Sequence, residues 1–151
     1  MIKVRLANTG DLTRLVIFGR NAHAASNYAD IPYNSMVVRE TLRAAVTLKG
    51  QDVFIAERED GSLCGLLIAL TVPLPFARRK YATDGVFYAE QGGDKLLDAF
   101  IEWAKARHAA RIDMGVTQFD PQRRLDKLYE SRGFVTTGGM YMQKLTEEPQ
   151  L

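Results

Sequence analysis

The sequence predicts a single mixed α/β domain, and three observations carry that prediction. Residues 63–72 are apolar at nearly every position and follow the turn signal Glu59-Asp60-Gly61-Ser62, which together read as a hairpin with a central, buried returning strand. Residues 85–89, an apolar run, lead through Glu90-Gln91-Gly92-Gly93 into a long helical pattern. Strand-like and helix-like stretches alternate along the rest of the chain. The length of 151 residues suits one domain with a proper core. That domain is expected over residues 1–145, with 146–151 as a polar tail.

Taken in order, Ile2, Val4 and Leu6 alternate with Lys3 and Arg5, the pattern of a half-buried first strand. Asn8-Thr9-Gly10-Asp11 supplies turn and cap residues for a helix with Leu12, Leu15, Val16, Phe18 and Gly19 inward, fraying near His23 to Ser26. Pro32 and its polar neighbours make residues 26–34 a loop, with Tyr28, Asp30 and Tyr33 as candidate substrate contacts beneath a lid. Asn34 or Ser35 caps a second helix whose inner face is Val38, Leu42 and Ala45.

Residues 52–57 are the outgoing strand of the hairpin, and Gly65 in the returning strand marks a bulge. Pro73 and Pro75 end that strand, and residues 77–80 form a basic turn. The run at 85–89 reads as a buried strand, with Asp84 just before it. The helix that follows turns Leu96, Leu97, Phe100, Ile101 and Ala104 inward. Residues 111–116 read as another strand. A last helix, capped by Asp120 with Pro121 in its first turn, places Leu125, Leu128 and Tyr129 inward and stops at Gly133. Phe134-Val135 and residues 140–145 suggest a final pair of strands.

Composition narrows the function classes. A net charge of +2 gives no strong drive toward nucleic acid or an anionic membrane. The basic groups Arg78-Arg79-Lys80 and Arg123-Arg124 lack interleaved aromatics, so no nucleic-acid partner is expected. No apolar stretch is long enough to span a bilayer, and the N-terminus has no signal-peptide form, so a cytoplasmic protein is expected. The single cysteine, Cys64, lies in an apolar run and reads as buried and inert. The two histidines, His23 and His108, have no metal-ligand spacing, and no metal is expected.

The strand, glycine turn and helix start at residues 85–95 form a natural anion site. Backbone N–H groups at a helix N-terminus lack intrahelical partners, the dipole is positive there, and glycines permit close approach. Taken with its surroundings, the chain resembles the GNAT superfamily of acyl-coenzyme A dependent N-acyltransferases, above all its small phage and prophage members. The residues that carry the resemblance are Arg5-Leu6-Ala7-Asn8-Thr9-Gly10-Asp11-Leu12, Phe54-Ile55-Ala56-Glu57 with Asp60-Gly61 and Cys64-Gly65-Leu66, the helix at 97–110, and Leu128-Tyr129-Glu130-Ser131-Arg132-Gly133-Phe134. The resemblance implies a mixed, mostly antiparallel sheet with a central β–α–β cofactor unit and flanking helices. It also implies acetyl transfer from acetyl-CoA to a primary amine of a small molecule or protein, and a possible homodimer through an edge near the final strands. The alternative it leaves open is a degenerate GNAT-like fold serving as a binding or regulatory protein.

The resemblance also assigns roles. Tyr129 matches the tyrosine that faces the leaving thiolate, and a phenol near neutral pH is protonated and able to donate. Asp84 and Glu90 are the candidate bases, and His23 a lesser one at the acceptor pocket. Phe87, Tyr88 and Ala89 supply backbone to the cofactor arm. Gln91, Gly92, Gly93, Asp94 and Lys95 meet its phosphates, with Arg123, Arg124 or Lys127 toward the 3′-phosphate. One departure stands out. Aligned from Leu96, the family's loop pattern puts Gln91 on a glycine position and Tyr88 on the Arg/Gln position; aligned from Gln91, Asp94 and Leu96 replace both small residues. The loop therefore reads as shortened.

Overall fold

The computed structural model describes residues 1–116 and 122–145. Five strands form one sheet in the order β1-β2-β3-β4-β5: β1 Lys3–Leu6, β2 Gln51–Glu57, β3 Leu63–Pro73, β4 Lys80–Ala89 and β5 Ile112–Asp113. Neighbours are antiparallel through β4, and β5 joins β4 in parallel. Among the described residues the α-helices are α1 Leu12–Ala24, α2 Ser35–Thr47, α3 Gly93–Ala106 and α4 Arg124–Ser131, and a 3-10 turn, Thr9–Asp11, leads into α1. Helices α1 and α2 cover one face, where Leu12, Leu15, Phe18, Leu42 and Ala45 meet Val53, Ile55, Leu66 and Ile68. Helix α3 and Tyr129 of α4 cover the other, where Leu96, Leu97, Phe100 and Trp103 meet Phe54, Leu67, Ala82 and Phe87.

The hydrophobic periods anticipated this layering. In α3 the inward residues are Leu96, Leu97, Phe100 and Ala104 as expected, with Trp103 added and Ile101 half-buried. Asn34 caps α2, accepting from the N–H groups of Met36 and Val37 at 3.0 and 3.1 Å. Residues 63–69 of β3 are buried from both sides, as their unbroken apolar run requires of a central strand.

Four expectations are corrected. β4 begins at Lys80, so Asp84 lies inside the strand, and the strand is not uniformly buried: Gly85 and Val86 are exposed. The expected strand 111–116 is only Ile112–Asp113. Residues 134–145 form no strand pair, and Val135, Met140, Tyr141, Met142 and Leu145 are exposed. Their apolar content signals strand propensity, but a ladder needs an edge to join, and β5 is two residues long at the sheet's margin. The run Thr136-Thr137-Gly138-Gly139 also offers little to pack across a ladder. The bulged residue of β3 is Cys64, not Gly65: Ala56 pairs with Gly65 while Glu57 pairs with Leu63. Gly65 serves another purpose, since a Cβ there would stand 2.8 Å from the Leu96 side chain and hold α3 off the sheet. The expected Asp120 cap and Pro121 lie outside the described residues.

A charged cluster ties β1, α1 and β2 together. Asp11 is 5% exposed and receives both Arg5 amino groups at 2.9 and 3.0 Å, while Arg5 and Arg14 both reach Glu57. The Arg5 hydrogen bonds hold the Asp11 carboxyl well below its ordinary range, and the Arg14 hydrogen bond lowers that of Glu57. Both folded values lie below the unfolded ones. The stabilisation is therefore present above the ordinary carboxylate range and is lost as pH falls through the folded values. Asp11→Asn is expected to lower the unfolding free energy by about 2 kcal/mol near neutral pH in urea titration. The gap to the parent protein should close in acid.

Candidate active site

Strands β4 and β5 pair only at Ala82↔Ile112 and Thr83↔Asp113. Beyond that point β4 runs on to Ala89 alongside β3, and the 114–116 segment leaves the sheet. A cavity of about 1200 Å³ opens at this parting. Thr83 to Tyr88 of β4 border it on one side and Asp113, Met114 and Gly115 on the other. Its far wall is built from the end of α1, residues of the 26–34 connection and the first turns of α2.

A bulge sets the side chains of β4. Ala69 pairs with Asp84 and Ile68 with Val86, so Gly85 is the extra residue. Asp84 and Phe87, three apart, would face opposite ways in a regular strand. Here they stand opposite Ala69 and Leu67, both in the core beneath α3, so they share that face. Val86 and Tyr88 stand opposite Ile68 and Leu66 and face α1 and α2. Tyr88 accordingly packs its ring against Phe18 at 5.7 Å.

Asp84 is the carboxylate at the parting. Burial pushes its carboxyl up, opposed by backbone N–H groups of Asp84 itself and of Gly115. Gly115 is also the partner of Tyr129, whose hydroxyl donates to the Gly115 carbonyl at 3.1 Å. Tyr129 is buried between Phe87 and Phe134 and does not line the cavity. Burial, then the charges of Asp84 and Asp126, push its phenol up, so it stays protonated across the working range. Asp84 and Tyr129, singled out separately in the sequence, thus meet at one backbone unit.

The turn from β4 to α3 is three residues long, Glu90, Gln91 and Gly92. The N–H groups of Glu90 and Gln91 both donate to the Cys64 carbonyl, at 2.7 and 3.3 Å, so the bulge in β3 anchors this turn. Gly92 has φ +80°, and a Cβ there would lie 2.7 Å from the Ile2 side chain. Gly93, Asp94 and Lys95 occupy the first turn of α3, which has no side-chain cap bond. The Lys95 ammonium reaches the Ile2 carbonyl at 3.1 Å rather than the turn. Glu90 forms an ion pair with Arg58 at 3.1 Å and, with its charge and hydrogen bond, adds to the burial that pushes the Tyr88 phenol up. Arg123 is bound to Asp126 at 2.6 Å.

Of the candidate acceptor contacts, Tyr28 and Tyr33 line the cavity and Asp30 does not. Tyr33 anchors its hydroxyl on the Val16 carbonyl at 2.8 Å and lies against His23, which also lines the cavity. Asp30 is paired with Lys144 at 3.0 Å. Sequence reasoning missed Met114, Gly115, Met36 and Val37, which enter the cavity by topology alone. It also missed the bulge at Gly85, although a glycine beside a carboxylate inside an apolar run is a usable signal. Among the described residues no group of three His, Cys, Asp or Glu is arranged to hold a metal ion, and no helix is long and apolar enough to cross a membrane.

No family model and no curated protein matches the chain. Solved structures do match it in fold. A probable acetyltransferase aligns with TM-score 0.74 at 17% identity, over 97% of this chain and 99% of its own. A GNAT family acetyltransferase from Staphylococcus aureus aligns with TM-score 0.63 at 18% identity, over 95% and 98%. A transcriptional regulator from Bacillus halodurans aligns with TM-score 0.71 at 23% identity, over 95% and 100%. At these identities the likeness is one of fold: a GNAT-like α/β fold with a five-stranded, mostly antiparallel sheet and flanking helices.

The raised Asp84 carboxyl has a consequence for stability. A folded value above the unfolded one means that the folded state binds the proton more tightly, so stability falls as pH rises through that interval. Asp84→Asn keeps an acceptor for Gly115 and removes the buried charge. Thermal melts should show the variant more stable than the parent at neutral pH, with the gain vanishing toward pH 4 or so, near the ordinary carboxylate range.

Proposed function

We propose that the protein is an N-acyltransferase that moves an acetyl group from acetyl-CoA to a primary amine, in the cavity where β4 and β5 part. One observation carries the reading. In a chain with the fold of the GNAT acyltransferases, the large cavity opens at the end of a two-residue strand pairing and holds a half-buried carboxylate whose pKa is raised. Burial makes this carboxylate a stronger base than one in water.

The residues present fit the coenzyme, with one shift from the sequence expectation. The pantetheine arm would run along β4 from Gly85 to Tyr88, where the cavity gives access to the strand. The pyrophosphate would meet the first-turn N–H groups of α3, at Gly93, Asp94 and Lys95, because those of Glu90 and Gln91 are spent on Cys64. Acetyl-CoA, when bound, supplies an activated carbonyl with a thiolate leaving group. Asp84 accepts a proton from the attacking amine, from the side of the strand that Gly115 also touches. Tyr129 remains protonated, and to serve the thiolate its O–H exchanges the Gly115 carbonyl for sulfur. Glu90, already paired with Arg58, is the poorer base.

A second reading has its own observation. A three-residue turn with two N–H groups already bonded is a small anion site for a dinucleotide-sized cofactor, which favours a GNAT-like binding or regulatory protein without acyl transfer. Calorimetric titration with acetyl-CoA separates the two. Binding is expected, and acetyl-CoA at a hundred times its dissociation constant should stabilise the fold by about 2.7 kcal/mol. Tyr129→Phe should retain that binding while turnover falls by about a hundredfold. Unchanged turnover would leave Tyr129 a structural anchor of Gly115, and absence of binding at millimolar acetyl-CoA would favour the second reading.

A further inference from the structure

The lining of the cavity is chemically one-sided. At the parting it is lined by two acidic residues, Asp84, whose side chain is turned to the face it shares with Phe87, and Asp113, whose carboxylate is paired with Arg111. Toward α1 and α2 it carries Tyr28, Ile31, Met36, Val37 and, from the C-terminal segment, Met140. These five are among the exposed large hydrophobics of the described residues, with Met36 74% and Val37 56% exposed. Apolar side chains gathered in water around one opening mark a surface that something apolar covers.

Among the described residues the lining contains neither lysine nor arginine. Two cations touch it from behind, and each is engaged. Arg20 lies over the Tyr33 ring at 4.8 Å and donates to Ser35 Oγ at 2.9 Å, and Arg111 is paired with Asp113 at 2.7 Å. A phosphate or carboxylate on a bound molecule would therefore enter a half-buried space with acidic residues at one end and no lysine or arginine left to meet it. Such burial of an unpaired charge is strongly disfavoured. An ammonium group is favoured at the same end, and two tyrosine rings border the apolar wall.

We infer that the acceptor is a primary amine carried on an apolar or aromatic body, without phosphate or carboxylate: an arylalkylamine or alkylamine. The inference rests on the acyltransferase reading and narrows it. The ammonium arrives charged and gives one proton to Asp84. The free amine attacks the thioester carbonyl, the N–C bond forms and the C–S bond breaks. The nitrogen loses a second proton, the thiolate gains one, and the remaining proton leaves to solvent. The products are an uncharged amide, which the carboxylate end no longer attracts, and free coenzyme A.

Three amines test this: 2-phenylethylamine, phenylalanine, which adds a carboxylate, and 2-aminoethanol, which drops the apolar body. Acetyl transfer is followed by thiol release, and each amine is also titrated calorimetrically into the protein without acetyl-CoA. The expected kcat/KM for 2-phenylethylamine is at least about tenfold above either comparison amine. Val37→Arg, at an exposed position on the wall, is expected to narrow the gap between phenylalanine and 2-phenylethylamine while the melting temperature holds. Acetyl transfer that is equal or better with phenylalanine or 2-aminoethanol overturns the inference and leaves the acyltransferase reading standing. Tighter binding of 2-phenylethylamine than of the other two, with no acetyl transferred to any, supports the ligand class and overturns the acyltransferase reading. Weak, indiscriminate binding, or a preference that Val37→Arg leaves unmoved, also overturns the inference.

Discussion

The site depends on a pairing that stops. β4 and β5 share two residue pairs and then part, and the cavity is the space this leaves. A longer β5 would close the sheet over Asp84 to Tyr88 and leave no room for a ligand. The bulge at Gly85 matters for the same reason. By inserting one residue against β3, it turns Asp84 to the face it shares with Phe87, toward the core beneath α3, where Tyr129 also packs. A strand without the bulge would send one of the two to the opposite face.

The rest of the architecture holds that opening in place. β3 is buried from Leu63 to Ala69 and presents a rigid partner to β4. Its own bulge, at Cys64, turns a carbonyl toward the end of β4 and fixes the entry to α3 through two N–H groups. On the opposite edge, the Arg5, Asp11, Arg14 and Glu57 cluster fastens α1 to the outer strands. That fastening sets where α1 ends, and therefore where His23, Ser26 and Tyr28 stand at the cavity.

Much of this was legible in the sequence, and what was not has physical reasons. The core faces of α1, α2 and α3 follow from apolar spacing, because a helix buries one stripe. The hairpin followed from Asp60-Gly61 and an unbroken apolar run. Tyr28, Tyr33, Asp84, Phe87 and Tyr88 were named from sequence, and the fold brings all five to one cavity. Asp30 was misjudged as a pocket residue because a surface ion pair with Lys144 joins segments far apart in the chain. Gly115 was missed because its contribution is backbone, a carbonyl for Tyr129 and an N–H toward Asp84, and a backbone role leaves no residue-type signal. The final strands were overcalled because propensity reports how a segment fits a sheet, not whether an edge is there to receive it.

The central claim is that ligand chemistry takes place where β4 and β5 separate. Amide chemical-shift mapping by NMR during titration with coenzyme A tests it most directly. The account predicts shifts concentrated at Gly85, Val86, Tyr88, Gly93 and Gly115, the backbone that borders the parting and the start of α3. Shifts confined to the β1–β2 edge, or amide-exchange protection at Met114 to Val116 showing β5 still paired with β4 there, would contradict it.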